Sequence, residues 1–345
     1  MSTRKVMADA VRAAAGDGNP ATVAQVLGML NAYDHRWSQE PFHIVDVEKE
    51  YDIPITAFSR EAPHEWSLAG KIDAVVEYDG NHYVLEHKTT SFDVTPHSSY
   101  WQSLHMSGQV AGYSLALVAS GIEVEGTIYD AVKKPAIRPK KIAKKDRDAI
   151  EDQLVWLGKE VSQDDVAELR ANDWKETPHF FGMRVEQTML DDIDKYFCRE
   201  VVVKTPSQLQ EYTAEVVSTI QLIEHSRHSQ NHIRHLGSCF NFNKPCPFIP
   251  LCNRTDHPES ENWRKRESVH NELHVGGHNS LTHSRTQCYQ TCNRKHHYQY
   301  DLQLEKAKES RDEALYVGDL FHKGLEARFK WIRDTRIKKE TNESG

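Results

Sequence analysis

Hydrophobic and polar positions along the chain follow two periods, one typical of helices and one typical of strands. Apolar residues recur every three or four positions over residues 5–40, with a break at 16–20, which predicts two helices. The same spacing predicts further helices in 98–120, 145–170 and 182–228. Period-two alternation predicts strands in 43–58, 70–90 and 121–132. We therefore expect an α/β fold, with a small mixed sheet and helices on both of its faces.

Composition divides the chain, whose 345 residues allow one large domain or two modest ones, into four segments. Residues 1–255 contain most of the predicted elements and are expected to form the main domain. The stretch 256–280 is polar and rich in His, Asn, Glu and Gly, which predicts a linker. An ordered block with two predicted helices follows at 281–335, and 336–345 is predicted to be a polar tail.

Bulk composition excludes several classes of protein. A chain that is 38% hydrophobic and 27% charged can bury a core, so it is not a disordered chain. No apolar stretch reaches the length of a membrane span, and the N-terminus lacks the apolar core of a secretory signal. We therefore expect a cytoplasmic protein, in which clustered cysteines more often bind metal than form disulfides.

Charge is distributed unevenly along the chain. The net charge of −8 argues against a protein coated in nucleic acid, but it allows an enzyme with a local basic groove and an acidic metal site. One basic run comprises Lys133, Lys134, Arg138, Lys140, Lys141, Lys144, Lys145 and Arg147. This run is either a solvated loop or an edge that contacts phosphates.

The segment GKIDAVVEYDGNHYVLEHKTTS, residues 70–91, is predicted to be a β-hairpin. Two alternating runs flank the Asp-Gly pair at 79–80, which is a strong signal for a two-residue type I′ turn. The turn fixes the pairing register and places Asp73 opposite Glu86, and Lys71 opposite Lys88. Alternation then assigns one apolar face to Ile72, Ala74, Val76, Tyr83 and Leu85. It assigns the other face to Lys71, Asp73, Val75, Val84, Glu86 and Lys88.

Two carboxylates side by side repel each other unless a cation lies between them. A divalent ion serves this purpose, and Mg²⁺ is typically held by one or two carboxylates together with waters and phosphate oxygens. Lys88, two residues after Glu86, is placed either to orient or deprotonate the attacking water or to stabilise charge on a phosphate. The alternative is an ordinary amphipathic hairpin with a charged surface cluster.

The pattern G-x-x-D, then E-x-K in a hydrophobic strand followed by Thr-Thr, resembles the PD-(D/E)xK nuclease superfamily. It is most similar to the RecB-like branch, which includes iron–sulfur CRISPR adaptation nucleases and many phage exonucleases. The resemblance implies a restriction-endonuclease-like core and a hydrolase that cuts DNA with Mg²⁺ or Mn²⁺. It implies Asp73 and Glu86 as metal ligands, with the His87 carbonyl beside them, and Lys88 as the catalytic lysine.

The same resemblance implies a biological setting. The substrate would be DNA, either single-stranded or with duplex ends, and the activity would be exonucleolytic. The protein would be prokaryotic or phage-encoded and would act in recombination, repair or CRISPR adaptation, as a homo-oligomer or within a larger complex. The alternative is a catalytically inactive module of the same fold that binds DNA ends.

A second motif, Gln109-x-x-x-Tyr113, lies in the helix predicted after the hairpin. Positions four residues apart share one face of a helix. The resemblance implies that Gln109 and Tyr113 face the catalytic site and bind the substrate. It also suggests Glu48, in the preceding strand, as an acid that accompanies the core residues.

Three cysteines, Cys239, Cys246 and Cys252, lie close together in an irregular, proline-interrupted segment. Three thiolates need a fourth ligand to hold a tetrahedral zinc ion or a 4Fe-4S cluster, and the candidates are Cys198, Cys288 and Cys292. Spacing alone does not distinguish zinc from iron–sulfur. A zinc protein with an incidental acidic hairpin is therefore a third hypothesis.

The cluster-containing relatives carry one early cysteine in a pattern that begins with Ser and continues Cys-Pro-Arg-Lys-aromatic. The stretch from Ser284 through Cys292-Asn-Arg-Lys to Tyr298 resembles it, with Asn293 in place of Pro. The resemblance thus implies that Cys292 is the fourth ligand of an iron–sulfur cluster. Cys288 is then spare, and Cys198 is expected to be an ordinary helix residue.

In those relatives the early cysteine is followed by Gly-x-x-x-His on a helix, and here Gly318-Asp-Leu-Phe-His322 is similar. The resemblance implies that His322 reaches the metal beside Asp73 and Glu86. The order of motifs differs from that of the family, in which the early Cys and the His come first. Moving 276–335 in front of residue 1 restores the family order, which indicates a circular permutation. The rival explanation is a second, truncated copy of the nuclease.

Overall fold

The computed structural model describes residues 2–61, 63–241, 244–266, 279–307 and 312–343. The helices are α1 Thr3–Ala15, α2 Pro20–Arg36, α3 Ser99–His105, α4 Gly108–Ala119, α5 Lys144–Gln153, α6 Gln163–Ala171, α7 Pro178–Leu190, α8 Ile193–Tyr196, α9 Pro206–Ser229, α10 Ile249–Cys252, α11 His283–Thr291, α12 Asn293–His296 and α13 Glu313–Glu343. The strands are β1 His43–Pro54, β2 Trp66–Tyr78, β3 Asn81–Thr90, β4 Gly126–Lys133, β5 Val155–Trp156, β6 Lys159–Glu160, β7 Phe197–Val202, β8 Phe240–Asn241, β9 Lys244–Pro245, β10 Trp263–Lys265, β11 Asn279–Leu281 and β12 Leu304–Lys306. Among these helices, none is both long and apolar enough to cross a membrane.

A mixed sheet forms the centre of the fold. Its strands lie in the order β1-β2-β3-β4-β7, and β11 pairs with β2. The β1–β2, β2–β3 and β4–β7 pairs are antiparallel, whereas β3–β4 and β2–β11 are parallel. This arrangement confirms the predicted α/β fold with a mixed sheet and the β2–β3 hairpin inside it.

Helices cover both faces of the sheet. On one face, Ala74 and Leu85 pack with residues of α1, α2, α7 and α13, including Tyr33 and Phe321, in the largest apolar cluster. On the other face, α4, α9 and α11 pack over Trp66, Leu68, Val75 and Val84. The C-terminal helix α13 thus belongs to the same core as the N-terminal helices.

The hairpin turn has the predicted form. Asp79 and Gly80 both have positive φ, 49° and 79°, as a type I′ turn requires. The ladder runs from Tyr78 opposite Asn81 to Ala74 opposite Leu85, in the predicted register. It ends there, so the predicted pairs Asp73–Glu86 and Lys71–Lys88 are not ladder pairs.

The predicted face of Ile72 is wrong. Its side chain packs with Val75 and Val84, on the face opposite to Ala74. Alternation of faces along β2 is therefore interrupted between Ile72 and Ala74. In the neighbouring β1, Glu48 has a left-handed φ of 56° between the residues paired with Ala74 and Ile72.

Three predicted helices are divided. The helix predicted over 98–120 is two helices, α3 and α4, and the one over 145–170 is split by the β5–β6 hairpin. The range 182–228 contains the strand β7, so Cys198 lies in a strand and not in a helix. Pairing of β7 with β4 decides this conformation, and it is not visible in the local pattern.

Two predicted polar segments are also more ordered than expected. Within the predicted linker 256–280, β10 pairs with β12 and its Trp263 is buried against Phe248, while 267–278 lies outside the described residues. The predicted tail continues α13 as far as Glu343. Its Lys and Glu residues are good helix formers, so polarity alone does not end the helix.

Candidate active site

All the catalytic, metal and substrate-binding residues predicted from the hairpin, α4 and α13 line one cavity of about 490 Å³. The residues concerned are Asp73, Glu86, His87, Lys88, Gln109, Tyr113 and His322. The hairpin lies beneath α4, which places one set of these side chains on the α4 side of the sheet. The N-terminal part of α13 approaches from the other side and brings His322.

A chain of contacts connects the hairpin to α4. Lys88 Nζ lies 2.6 Å from Glu86 Oε1 and donates a second hydrogen bond to Gln109 Oε1 at 2.8 Å. Gln109 Nε2 donates to the Tyr113 hydroxyl at 2.6 Å. The two residues of the Gln-x-x-x-Tyr motif therefore share one helical face and bind each other beside Lys88.

The buried carboxylate of Glu86 is incompletely satisfied. Glu86 is 3% exposed, and its Oε2 atom has no hydrogen-bond partner among the described residues. Burial raises the pKa of this carboxyl, the Asp73 carboxylate raises it further, and Lys88 only partly opposes them. A buried acid next to another acid favours a bound cation.

Lys88 is a cation here rather than a base. Burial by itself lowers the pKa of the ammonium, but Glu86 outweighs burial and the net pKa is above its ordinary value. Of the roles predicted from the sequence, stabilising charge on a phosphate fits a protonated Lys88.

His322 reaches the same place from α13. Its Nδ1 lies 3.8 Å from Asp73 Oδ2, and its Nε2 lies 3.1 Å from the backbone oxygen of His87. The backbone N–H of His87 in turn donates to Asp73 Oδ2 at 2.8 Å. A β-carbon on Gly318, one turn before His322, would lie 3.1 Å from Thr89 Oγ1, which explains why a glycine allows α13 to approach β3.

Four groups that could serve as ligands of a divalent ion line this cavity, although the ligand atoms of Asp73, Glu86 and His322 do not all lie within 4.8 Å of one another. They are the carboxylates of Asp73 and Glu86, the His87 carbonyl and the His322 imidazole. Oxygen ligands of this kind suit Mg²⁺ or Mn²⁺, and an imidazole is compatible with Mn²⁺. The free Oε2 atom of Glu86 is the observation in this structure that fits such an ion.

Some candidate residues lie elsewhere. Glu48 lies outside the cavity lining and is paired with Lys71 at 2.5 Å. Of the basic run, Lys134 lines the cavity and donates to the Ala314 carbonyl at 3.1 Å. Lys141 is paired with Asp173 instead.

Sequence reasoning missed one wall of the cavity. Arg266 of the predicted linker forms it together with four residues of the 281–335 block: Thr282, His283, Ser284 and Tyr300. Burial, followed by the charge of Lys88, lowers the pKa of His283 to about 4, so this ring is neutral at pH 7. No local pattern identifies these residues, because they reach the hairpin only through the pairing of β11 with β2.

The four cysteines assigned as cluster ligands lie near one another. The Cys246 N–H donates to the Cys239 carbonyl at 2.7 Å. Burial raises the pKa of the Cys252 thiol, and the neighbouring thiols of Cys246, Cys292 and Cys239 raise it further. All of these cysteines are free thiols, as are Cys198 and Cys288.

The sulfur atoms are more widely spaced than a single ion requires. A tetrahedral zinc ion with bonds of about 2.3 Å would hold thiolates roughly 3.8 Å apart. In the described part of the chain, three ligand atoms lie within 4.8 Å of one another only in His232, His297 and Asp301, so no three sulfurs are that close.

The trio of His232, His297 and Asp301 is better described as a polar network than as a metal site. The two imidazole rings stack with centroids 3.7 Å apart and planes inclined by 17°, so their in-plane lone pairs do not converge. Asp301 Oδ1 already accepts from Arg227 Nε at 3.0 Å and from Nη2 at 2.8 Å.

Comparison with known proteins gives one match. The family model of the PD-(D/E)XK nuclease superfamily matches residues 3–253 and 280–344, which include the hairpin, α4 and α13. Searches of curated proteins and of solved structures gave no significant match. Because the match covers nearly the whole chain, this protein belongs to the PD-(D/E)XK nuclease superfamily.

Proposed function

We propose that the protein is a metal-dependent deoxyribonuclease that acts as an exonuclease on single-stranded DNA or duplex ends. The observation that carries this proposal is the buried Glu86 carboxylate beside Asp73, with one oxygen free and a protonated lysine at its other oxygen. Membership of the superfamily supports nuclease activity in general. The exonucleolytic mode and the DNA substrate go further than superfamily membership and are proposed here.

Asp73, Glu86, His322 and the His87 carbonyl would hold Mg²⁺ or Mn²⁺. When bound, such an ion lowers the pKa of water and stabilises negative charge on the phosphate. Lys88 donates a hydrogen bond to a non-bridging phosphate oxygen, a role that its protonated state suits. Gln109 holds the Lys88 ammonium in place, and Tyr113 fixes the Gln109 amide.

The shape of the site supports binding of a single strand. A second cavity, of about 650 Å³, shares Lys88, Gln109, His283 and Ser284 with the first. The groove therefore continues past the carboxylates, between α4 and α11. A strand that follows it would pass Lys134 and Arg266 near the metal, where cationic groups balance the phosphates.

We propose that Cys239, Cys246, Cys252 and Cys292 hold a 4Fe-4S cluster with a structural role. The closeness of the four thiols, three of which raise the pKa of the Cys252 thiol, supports a shared metal group, and four thiolates are the ligand set of such a cluster. Visible absorbance and iron content of an anaerobic preparation test this assignment, and a colourless protein that contains zinc would contradict it.

We further propose that the chain is a circularly permuted superfamily member. The pairing of β11 with β2, the packing of α13 in the main core and the contact of His322 with Asp73 support one domain completed by its C-terminal block. A truncated second copy would have no reason to complete the first site. A recombination, repair or CRISPR adaptation complex in a prokaryote or phage is the setting that we expect.

The experiment uses end-labelled single-stranded DNA and a closed single-stranded circle. Wild-type protein should degrade the linear strand in Mg²⁺ or Mn²⁺ and stop in chelator, and Lys88→Ala should lower the rate by about 10²–10³-fold. Lys49→Ala, on the neighbouring strand β1, is the matched control. Degradation of the circle would contradict the exonuclease mode. Tight binding of DNA ends without cleavage would favour the inactive end-binding module.

A further inference from the structure

His87 is the residue between Glu86 and Lys88, and its backbone and side chain face different neighbours. Its N–H donates to Asp73 Oδ2 at 2.8 Å, and its carbonyl lies 3.1 Å from His322 Nε2. Its side chain projects to the opposite face of the sheet and is buried, with the residue 4% exposed. The backbone of one residue therefore contacts two candidate metal ligands, through the two peptide groups on either side of its α-carbon.

The His87 side chain faces a buried carboxylate. Its Nδ1 lies 3.3 Å from Asp130 Oδ2, and the two residues are direct neighbours in the parallel β3–β4 ladder. Asp130 is also the ladder neighbour of Arg199 on β7, whose Nη2 lies 3.0 Å from Asp130 Oδ2. The Tyr33 hydroxyl contacts the same oxygen. Three strands and α2 thus meet at Asp130.

The network continues back to the helix that carries His322. Arg199 binds Glu40 at 2.8 Å and 3.2 Å, and Glu40 accepts from Arg328 Nη1 at 2.8 Å. Arg328 is 1% exposed and lies on α13, as does His322. The contact between the His87 carbonyl and His322 is therefore anchored at both ends by one set of buried ion pairs.

Buried charges that are paired on several sides resist displacement, because moving one leaves another without a partner. Asp130 is fully buried, and Arg199 Nη2 and the Tyr33 hydroxyl both contact its Oδ2 atom. A fixed carboxylate beneath β3 limits rotation of the peptide at His87. Partners behind metal ligands commonly change metal affinity by 10–100-fold.

We propose that Asp130 is a positioning residue of the nuclease site, which fixes the His87 peptide so that Asp73, the His87 carbonyl and His322 converge on one divalent ion. The inference rests on the metal-dependent function proposed above. Asp130 does not touch the ion or the substrate, and it acts through the backbone of β3 and, by way of Arg199 and Glu40, through α13.

The test is Mn²⁺ binding by isothermal titration calorimetry, which needs no catalysis. Asp130→Asn keeps the shape of the side chain and removes its charge, and its Mn²⁺ dissociation constant should rise about 10-fold or more. Glu176→Gln is the matched control, because Glu176 is a buried acid paired with Arg184 away from the site. It should lower the unfolding midpoint and leave Mn²⁺ binding unchanged.

Tyr33→Phe covers the case in which Asp130→Asn does not fold. It removes one contact to Asp130 and should weaken Mn²⁺ binding several-fold in a folded protein. Unchanged Mn²⁺ binding in the folded variants would overturn the inference, as would equal weakening in Glu176→Gln. Mn²⁺ binding by the wild type should be lost in Asp73→Asn. If the wild type shows no such binding, the proposed metal-dependent function fails, and that outcome is distinct from failure of the inference about Asp130.

Discussion

The hairpin site and the cysteine segment are held together in different ways. In the hairpin site, side chains and backbone bind one another directly: Lys88 binds Glu86 and Gln109, and the His87 N–H binds Asp73. Among the cysteines, the described contact is between backbone atoms of Cys246 and Cys239, and the thiols are free. The candidate residues of the hairpin site are therefore linked by side-chain hydrogen bonds, whereas the described link between Cys239 and Cys246 runs through the backbone.

The two regions should differ in what a bound metal contributes. At the hairpin, the position of the Glu86 carboxylate is electrostatically unfavourable, because burial and Asp73 disfavour its charged form. A metal there relieves that cost and supplies activity. At the cysteines, a bound cluster would join segments that are far apart in the sequence, so its binding free energy would contribute to the free energy of folding. We expect loss of the first metal to spare the fold and loss of the second to damage it.

The largest expected effect concerns the cysteines. Cys292→Ser should abolish the visible absorbance of the cluster and lower the thermal midpoint by on the order of 10 °C, because several kcal/mol of binding free energy are lost. Cys198→Ser, in the strand β7, is the matched control and should retain the cluster and most of the stability. Calorimetry and absorbance spectra measure both. If the two variants behave alike, the contrast between the regions is wrong.

The second expected effect concerns Glu86 in protein freed of divalent metal. Its raised pKa means that the folded state holds this proton more tightly than the unfolded state does. The contribution of this proton to the free energy of unfolding is fully present below the ordinary pKa of 4.5. It is lost as the pH rises through the raised pKa of the folded state. Glu86→Gln does not titrate, so it should be the more stable protein at pH 7 and lose this advantage toward pH 4.

Urea unfolding between pH 4 and pH 8 measures the difference, with Glu77→Gln, an exposed acid on the same hairpin, as control. Addition of Mg²⁺ should then stabilise the wild type and not Glu86→Gln, because the ion binds the folded state alone. A wild type that is more stable than Glu86→Gln at pH 7 without metal would show that the site is not electrostatically unfavourable.

The sequence predicts the hairpin well because its information is local. The Asp-Gly turn sets the register within a few residues, and Gln109 and Tyr113 are related by one helical turn. The face of Ile72 differs from the prediction because strict alternation along β2 is interrupted, which the sequence pattern of the strand does not show. The strand β7 was missed because its conformation depends on pairing with β4, far away in the chain.

The far wall of the cavity could not be predicted from spacing at all. His283 and Tyr300 lie in a block whose relation to the hairpin is set by three-dimensional pairing, and neither forms a local motif with a catalytic residue. His322 was found for a different reason, since a family resemblance links a helical Gly-x-x-x-His to the carboxylates. A family motif can relate residues that are far apart in the sequence, whereas hydrophobic periodicity describes only local structure.

The smallest expected effect concerns the approach of α13 to β3. In Gly318→Ala the new β-carbon would lie 3.1 Å from Thr89 Oγ1, so α13 or Thr89 must move by a few tenths of an ångström. Alanine favours a helix by about 1 kcal/mol over glycine, which should offset the strain and leave the thermal midpoint nearly unchanged. The shift of His322 should still weaken Mn²⁺ binding about two- to three-fold. The double variant Gly318→Ala/Thr89→Ala, which removes the facing oxygen, should restore Mn²⁺ affinity relative to Thr89→Ala alone. Without that restoration, the close approach at Gly318 does not position His322.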